Sequence, residues 1–340
     1  MDQHNRTDIS ANDTDDLARM IRAAGRRPEP PQADRDAVHA AAYAAWQAKL
    51  RSRNRQRLLY ALAASILIAI TAALLWPPLV GSGDPPIVAT ARLIVGDVAT
   101  FSSANGQWSP LTPDARDRER VRAGDRVRTA VGGRVELDLL PGTSLRLAES
   151  TEIEIGADRT LRLLSGRTYI DTGKDQHGIE LETPFGTLRD IGTQFEVSVT
   201  DATLRLRVRT GYVELAPITG PTQHTSAEQQ IELTREGRLA RAAFPAAHPE
   251  WSWAEELAVV PLTRGQPHIA YLEWIAAETG RQLVFSDESA RILAETRRLD
   301  GDPRGNTPAE LLQIIAVTEA ELAIDVNDEG TIRIGRNNTR

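Results

Sequence analysis

One short stretch in the middle of the chain has the residue types of an acid hydrolase. Its residues run apolar-Asp-Thr-Gly and end in Asp171, Thr172 and Gly173. In acid proteases two such loops meet, so that two carboxyl groups share one proton. Here a single copy is present, and Lys174 places a cation directly after it. The stretch is better explained as a turn between two strands, and we predict no protease chemistry.

The rest of the sequence contains no other pattern of catalytic or metal-binding residues. The six histidines are scattered, without the H-E-x-x-H spacing of zinc proteases, and neither a G-x-S-x-G motif nor a phosphate-binding loop is present. There are no cysteines, which excludes disulfides and thiolate metal sites and suits an oxidising compartment. The net charge of −7 argues against general nucleic-acid binding. We therefore expect a protein that is not an enzyme, uses no cofactor or metal, and has no direct contact with nucleic acid.

The longest uncharged segment runs from Leu58 to Trp76, which is nineteen residues. A helix of that length spans roughly 28 Å, close to the hydrocarbon thickness of a bilayer. Residues 49–57 carry five cations and no acid, which places the N-terminal side in the cytoplasm. We predict one transmembrane helix within residues 58–80 rather than a buried core helix or a cleaved signal peptide, since more than fifty residues precede it. Small residues on one face, which permit a homodimer through the span, recur at Ala61, Ser65, Ala69 and Ala73.

The first 57 residues are predicted to form a short cytoplasmic α-helical segment. An apolar stripe with helical spacing includes Leu17, Met20 and Ile21, and a second helix beginning near Asp34 would carry Trp46. A segment this small does not bury a core of its own. Its apolar stripes either pack on each other or bind another protein, and on the second interpretation these four apolar residues bind the partner.

From Ile87 onward the hydrophobic pattern changes to a period of two. Residues 134–139 alternate charged and apolar side chains, and similar runs recur as far as Leu215. Each run is typical of a strand with one buried and one wet face. Turn residues such as Pro141-Gly142 separate the runs at short spacing. We predict an all-β domain over residues 87–245, either a sandwich or a solenoid-like stack.

Within this domain, residues 183–197 read TPFGTLRDIGTQFEV. This stretch resembles the signature of the FecR family, whose members are inner-membrane regulators of bacterial iron uptake and cell-surface signalling. Residues 161–170 and 208–215 are similar to the strands that precede and follow that signature. We interpret the motif as structural, because its glycines permit tight turns and its alternate apolar residues face a core. The residues that carry this interpretation are Thr183, Pro184, Gly186, Gly192, Thr193 and Phe195.

Residues 251–340 have the pattern of a small α+β domain. Leu257 to Leu262 is predicted as a strand, and the helix that follows is ended by Gly280. A further helix begins at the capping box of Thr307 and Glu310, and a hairpin closes the chain. This order resembles the secretin and TonB short N-terminal domain, which forms the C-terminal part of many FecR-family proteins.

Docking residues in this C-terminal part are predicted at two places. Trp251 and Trp253 alternate on an extended segment, so one of them should face outward. A short edge strand from Leu283 to Phe285 would accept a strand of the partner. The partner implied by the resemblance is the signalling domain of a TonB-dependent outer-membrane receptor.

Together these features predict a multidomain membrane protein. It would consist of a short cytoplasmic α-helical segment, one transmembrane helix, an all-β periplasmic domain and a small α+β C-terminal domain. The resemblances imply a single-pass inner-membrane regulator of the anti-sigma type, which relays a periplasmic signal to an extracytoplasmic-function sigma factor. The N-terminus would be cytoplasmic and the C-terminus periplasmic. The alternative is a membrane-anchored periplasmic binding or scaffold protein without a sigma-factor partner.

Overall fold

Strands dominate the part of the chain that the structure describes. The structure is a computed structural model, and it describes residues 19, 20, 23, 84–112, 120–139, 142–173, 178–190, 192–327 and 330–337. The chain divides into two compact units, residues 1–82 and residues 83–340. Every described strand lies in the second unit.

Seventeen of these strands belong to one continuous sheet. They are β1 (Ile87–Val95), β2 (Val98–Ser102), β3 (Gln107–Pro110), β4 (Arg120–Arg122), β5 (Asp125–Thr129), β6 (Arg134–Leu139), β7 (Thr143–Leu147), β8 (Glu152–Ile155), β9 (Thr160–Asp171), β10 (Glu180–Thr183), β11 (Gly186–Asp190), β12 (Gln194–Val199), β13 (Thr203–Thr210), β14 (Tyr212–Pro217), β15 (Gln223–Ser226), β16 (Gln229–Thr234) and β17 (Leu239–Ala243).

The sheet is folded into two layers that share β9. The first layer has the order β4-β1-β6-β7-β9-β12-β13-β16-β17, and the second has the order β3-β2-β5-β8-β9-β10-β11-β14-β15. Strand β9 changes layer at Gly166, which has a left-handed φ of 94°. A Cβ atom there would collide with the backbone of Thr151, so only glycine allows this crossing.

The main apolar core lies between the two layers. In β6, for example, Val135, Leu137 and Leu139 face this core and alternate with charged residues that face away from it. The second layer contributes residues such as Leu188 and Leu215. The alternation read from the sequence therefore places one face of each layer in a common core, as the predicted sandwich requires.

The C-terminal part is a small module of helices on a three-stranded sheet. Its helices are α1 (Ser252–Glu255), α2 (His268–Thr279), α3 (Glu288–Thr296) and α4 (Pro308–Thr318), and a 3-10 turn (Pro249–Trp251) precedes α1. Its strands are β18 (Gln282–Phe285), β19 (Leu322–Val326) and β20 (Thr331–Arg336), in the order β18-β20-β19. The predicted ends of two helices are present, since Gly280 caps α2 with φ 62° and Thr307 forms a capping box with Glu310 at the start of α4.

Two elements of this module were predicted incorrectly. Residues 257–262 form no strand, because the N–H groups of Leu257 and Ala258 donate to carbonyls of α1 and continue its last turn. Helix α3 was not predicted, although the Asp287 side chain accepts a hydrogen bond from the N–H of Ala290 as an N-cap. Its few apolar residues did not suggest a helix by periodicity alone.

The predicted fold class of a multidomain membrane protein is corrected by the structure. The described residues are mostly β-sheet, and none of the helices among them is long and apolar enough to cross a membrane. The longest of them, α2, has 12 residues, whereas a span needs about 20. The predicted span at residues 58–80 lies outside the described residues. That prediction rested on the uncharged run and on the basic residues before it, and such a pattern records a preference for leaving water rather than the structure adopted.

The strands between residues 87 and 243 and the helices and strands after residue 249 agree with the β and α+β parts of the prediction. The predicted boundaries of these parts at residues 245 and 251 stay a prediction, because residues 83–340 form one compact unit.

Candidate functional site

The face of the first layer that points away from the main core carries a row of four charged residues and one tyrosine. Glu136, Arg146, Tyr169, Glu196 and Arg207 lie directly opposite one another on the adjacent strands β6, β7, β9, β12 and β13. Opposite charges paired in this way across antiparallel strands attract each other. All five residues, which we call the charged row, are at least nine-tenths buried. A polar sheet face with this burial must be covered by another part of the chain.

The cover is residues 244–258, which we call the covering segment. Its Trp251 is fully buried, and its ring makes edge contacts with the rings of Tyr169 at 5.8 Å and Phe244 at 5.4 Å between centroids. The indole N–H of Trp251 donates to the carbonyl of Pro245 at 3.0 Å. Ala254 and Leu257 complete this apolar cluster. The covering segment therefore seals the charged row from solvent with aromatic side chains.

Trp253 reaches the charged row itself. Its indole N–H donates to Glu196 Oε2 at 2.8 Å, and the guanidinium of Arg167 lies 4.6 Å from its ring centroid. Glu196 is fully buried, and the nitrogens of Arg207 and Arg205 lie 3.4 and 3.7 Å from its carboxylate. The neighbouring cations thus compensate the buried charge, and Trp253 satisfies its second oxygen.

A second contact connects the first layer with helix α2. The guanidinium of Arg146 binds the carboxylate of Glu278 through two nitrogens, at 2.8 and 3.0 Å. The same side chain donates to the carbonyl of Ala254 in the covering segment at 3.0 Å. Burial acts to lower the pKa of Arg146, but the attraction of Glu278 and Glu136 outweighs it and raises the pKa. Arg146 therefore stays charged and fixes both elements to the sheet.

Arg209, on β13, holds the end of the same helix. It donates to the backbone carbonyls of Ala246 at 2.9 Å and Glu278 at 2.5 Å and to the carboxylate of Glu255 at 2.5 Å. A cation is favourable there because the C-terminal carbonyls of a helix carry partial negative charge. The residue that follows the helix is Gly280, where a Cβ atom would collide with the carbonyl of Ala246. Arginine and glycine together allow close contact between the helix end and the covering segment.

Glu136 is the residue of the charged row with the weakest compensation. Its carboxylate accepts a hydrogen bond from the Ser144 hydroxyl at 2.9 Å, and the nearest guanidinium nitrogen of Arg146 is 3.9 Å away. Burial raises the pKa of Glu136 to about 7, and Arg146 and Ser144 only partly oppose this rise. Its charge therefore changes close to neutral pH.

The apolar-Asp-Thr-Gly stretch lies at the end of β9. The Asp171 carboxylate accepts hydrogen bonds from the Gly173 N–H at 2.8 Å and the Gln194 side-chain amide at 2.9 Å. Burial, followed by the repulsion of Glu278, raises the pKa of Asp171. The Gly173 contact closes a turn, in agreement with the interpretation of this stretch as a turn.

The signature residues at the start of the motif shape a turn between β10 and β11. The Thr183 hydroxyl donates to the carbonyl of Gly186 at 2.7 Å, and Pro184 is exposed at the tip. Gly186 has a φ of 148°, and a Cβ atom there would collide with the backbone of Ala216 on β14. The glycine is thus required by the closeness of the neighbouring strand.

The later signature residues lie in a buried hydrogen-bond cluster and in the core. The Thr193 hydroxyl donates to Asp190 Oδ2 at 2.6 Å, and its N–H donates to the Thr172 hydroxyl at 2.8 Å. Thr193 therefore binds two buried side chains, one through its hydroxyl and one through its N–H. Gly192 adopts a left-handed φ of 68°, and Phe195 is buried in the main core. The cluster fixes the start of β12 to the end of β9.

The predicted partner-binding residues have different surroundings. Trp251 and Trp253 are both buried by the chain itself, so the expectation that one of them faces outward is wrong. Leu283 and Phe285 are half-buried on β18, an edge of the three-stranded sheet, and their docking role stays a prediction. Met20 is helical and 72% exposed. The other predicted N-terminal contacts lie outside the described residues: Leu17, Ile21 and Trp46.

Sequence reasoning did not identify Glu136, Arg146, Arg209 or Glu278 as site residues. The strand pattern assigned the first three to a wet face, and Glu278 was not singled out within its helix. Their shared location depends on strand register and on the path of the covering segment. The available signal was the unusual density of tryptophan beside the strand domain, at positions 251 and 253.

The comparisons with known proteins concern mainly the strand domain. A family model described as FecR protein matches residues 125–214. No curated protein matches the chain. Two crystal structures of a candidate anti-sigma factor from Parabacteroides distasonis ATCC 8503 are similar to this chain, with 15% and 16% sequence identity. Each match covers 62% of this chain and 99% or 98% of the other chain, and both have a TM-score of 0.34. At that identity and TM-score the likeness does not identify a function.

The family match includes all five strands of the charged row completely, together with the signature residues. Residues 125–214 are therefore a FecR domain, and the predicted resemblance to the FecR family is confirmed.

Proposed function

We propose that this protein regulates a sigma factor of the extracytoplasmic-function class. The observation that supports the proposal is the FecR domain at residues 125–214, because regulators of this family control such sigma factors. The sigma factor would contact the N-terminal residues, of which Met20 is the described apolar candidate. We propose no catalytic activity, since the family acts by binding.

The C-terminal module is proposed to receive the signal. Strand β18 is an edge of its sheet and offers backbone groups to a partner strand, such as one from the signalling domain of a TonB-dependent receptor. The buried contacts of Arg146 and Arg209 with helix α2 would then carry a displacement of this module to the FecR domain. The periplasmic location of this part stays a prediction.

The proposal is tested by co-purification of the full chain with each extracytoplasmic-function sigma factor of its source organism, together with a reporter of the corresponding promoter. We expect one sigma factor to co-purify and its promoter activity to change when the gene for this protein is deleted. Met20→Asp should weaken that complex at least tenfold. Val131→Asp, which changes an even more exposed apolar residue in a turn between strands, should not. If no sigma factor binds and no promoter responds, the regulatory function is wrong and the alternative of a binding or scaffold protein is favoured.

A further inference from the structure

A cavity of about 550 Å³ lies beside the charged row. Its walls come from strands β1, β6, β7 and β9, from residues 259–261, and from helix α2 through Trp274 and Glu278. Because both the FecR domain and the C-terminal module contribute walls, a molecule in this cavity would contact both of them. The volume is sufficient for a small organic ligand.

The ionisable groups that line the cavity are four carboxylates and two guanidinium groups. Arg92 pairs with Asp138 at 2.6 Å, and Arg146 pairs with Glu278 at 2.8 Å. Glu136 is left with only the more distant Arg146, whose nearest nitrogen is 3.9 Å away, and Asp171 forms no ion pair among the described residues. Their hydrogen bonds come from neutral donors, namely a hydroxyl, a backbone N–H and an amide. The cavity therefore has two carboxylates whose charges are poorly compensated.

The carboxylate of Glu136 also has an unused acceptor. Its side chain is 94% buried, since its relative exposure is 6%, and Oε2 has no hydrogen-bond partner among the described residues. A buried carboxylate oxygen without a donor costs stability, commonly about 1–3 kcal/mol or more. Glu136 lines the cavity, so a donor group inside the cavity would satisfy this oxygen. The unpaired oxygen of Glu136 therefore indicates a ligand in the cavity, independently of how many acidic residues line it.

The geometry favours a cationic ligand with two donor groups. Glu136 lies on β6 and Asp171 on β9, with only β7 between them. Glu136 is opposite Arg146 and Asp171 is opposite Ser144, two residues away along β7. Because adjacent strands are about 4.8 Å apart and residues rise about 3.4 Å along a strand, the two backbone positions are roughly 12 Å apart. A short linear diamine reaches between two carboxyl groups at that separation. Trp274 adds an aromatic wall, and aromatic rings attract ammonium groups.

We propose that this cavity binds a short aliphatic diamine, with one ammonium group on Glu136 and the other on Asp171. A divalent metal fits the same residues less well, because calcium takes about six to eight oxygen ligands in close geometry. Among the described residues, no group of three or more acidic or histidine side chains is arranged to hold a metal ion. The diamine site goes beyond the proposed sigma-factor function and does not depend on it.

The test is calorimetric titration of the full chain with 1,4-diaminobutane and 1,5-diaminopentane at pH 8. We expect saturable binding of at least one diamine and none of 1,4-butanediol, which has the same chain length without charge. Calcium and magnesium chloride are titrated as inorganic cations. Binding of a divalent ion in place of both diamines, or binding of no diamine up to millimolar concentration, overturns the proposal.

Two isosteric variants locate the site. Glu136→Gln and Asp171→Asn each remove one charge with little change of volume, and each should weaken diamine binding at least tenfold. Glu154→Gln, on the second layer, is the matched control and should leave the affinity unchanged. Unchanged affinity in both cavity variants overturns the assignment. If Glu136→Gln does not fold, the proposal is decided by Asp171→Asn and by diamine titrations of the unaltered chain at several pH values. Diamine binding to the unaltered chain must weaken below pH 7, because Glu136 takes up a proton there.

Discussion

Arg146 of the FecR domain and Glu278 of helix α2 form a buried two-point ion pair across 132 residues of sequence. Their nitrogen–oxygen distances are 2.8 and 3.0 Å, and the side chains are 1% and 9% exposed. A buried pair of this kind adds little net stability compared with apolar residues of the same size, but the loss of one partner leaves an uncompensated charge. The pair therefore fixes helix α2 in one position on the sheet, because moving the helix away would separate two buried charges.

This relationship predicts an asymmetry between single and double substitutions. Glu278→Leu should lower the free energy of unfolding by about 3–5 kcal/mol, because Arg146 stays charged in a dry environment. Combining it with Arg146→Met should recover most of that loss. Chemical denaturation of the three variants measures the effect. Arg162→Met is the control, since its pair with Glu182 is exposed to solvent and should contribute little to stability. Equal losses in the single and double variants would contradict the interpretation.

Trp253 should matter through its hydrogen bond as well as its size. Trp253→Phe keeps an aromatic ring but removes the donor to Glu196, so we expect a loss of about 1–3 kcal/mol in unfolding free energy. Denaturant titration followed by circular dichroism is the measurement. Trp108→Phe, on the second layer, is the control and should cost less. If Trp253→Phe leaves the free energy of unfolding unchanged, the neighbouring arginines alone compensate the buried carboxylate of Glu196.

Glu136 predicts how stability varies with pH. Its folded-state pKa of about 7 is raised above the ordinary value of 4.5. The folded state therefore holds this proton more tightly, and the stabilisation is complete below pH 4.5 and is lost as pH rises to about 7. The groups that face it are Arg146, Ser144, Glu278 and Asp138.

Glu136→Gln removes this titration. Relative to the unaltered protein, the variant should gain up to about 3 kcal/mol in unfolding free energy between pH 5 and pH 8. Denaturation curves at several pH values for both proteins check this. Parallel pH profiles would mean that Glu136 does not titrate in this range.

Gly186 is predicted to be intolerant of any side chain. Gly186→Ala should cost about 3 kcal/mol or more, because its Cβ atom meets the backbone of β14, which has no room to move. Gly132→Ala is the matched control: its φ of 73° is also left-handed, but nothing lies near the new atom, so about 1 kcal/mol is expected. Thermal unfolding of the two variants distinguishes steric collision from backbone strain. A tolerated Gly186→Ala would place the neighbouring strand further away than the structure does.

Arg209→Lys tests the link between the helix end and the covering segment. Lysine keeps the charge but lacks the planar fork that serves Ala246, Glu278 and Glu255 together. We expect faster amide hydrogen exchange in the last turn of α2 and in residues 245–256, with little change in the second layer. Exchange mass spectrometry resolves these regions. Unchanged exchange at both places would show that Arg146 alone holds the helix.

Much of the secondary structure follows from local pattern. The alternation in residues 134–139 marks β6, and the capping box at Thr307 and the terminator at Gly280 mark helix ends. These signals are readable because they depend on neighbouring residues only. The missed helix α3 and the wrongly predicted strand at 257–262 show the limit, since a short apolar run is compatible with either structure or with a helix end.

The sequence by itself determined the strands, their inward apolar faces and the glycine positions of the FecR signature. Only the tertiary structure decided that the outward face of the first layer is dry. A strand face exposed to water and a strand face covered by another segment have the same alternation of charged and apolar residues. The alternation shows that the two sides of a strand differ, but not whether the polar side is in contact with water. The burial of Glu136, Arg146 and Glu196 depends on strand register and on the path of residues 244–258, which are long-range relationships. The same charged residues therefore read as solvated in the sequence and form a buried contact with helix α2 in the fold.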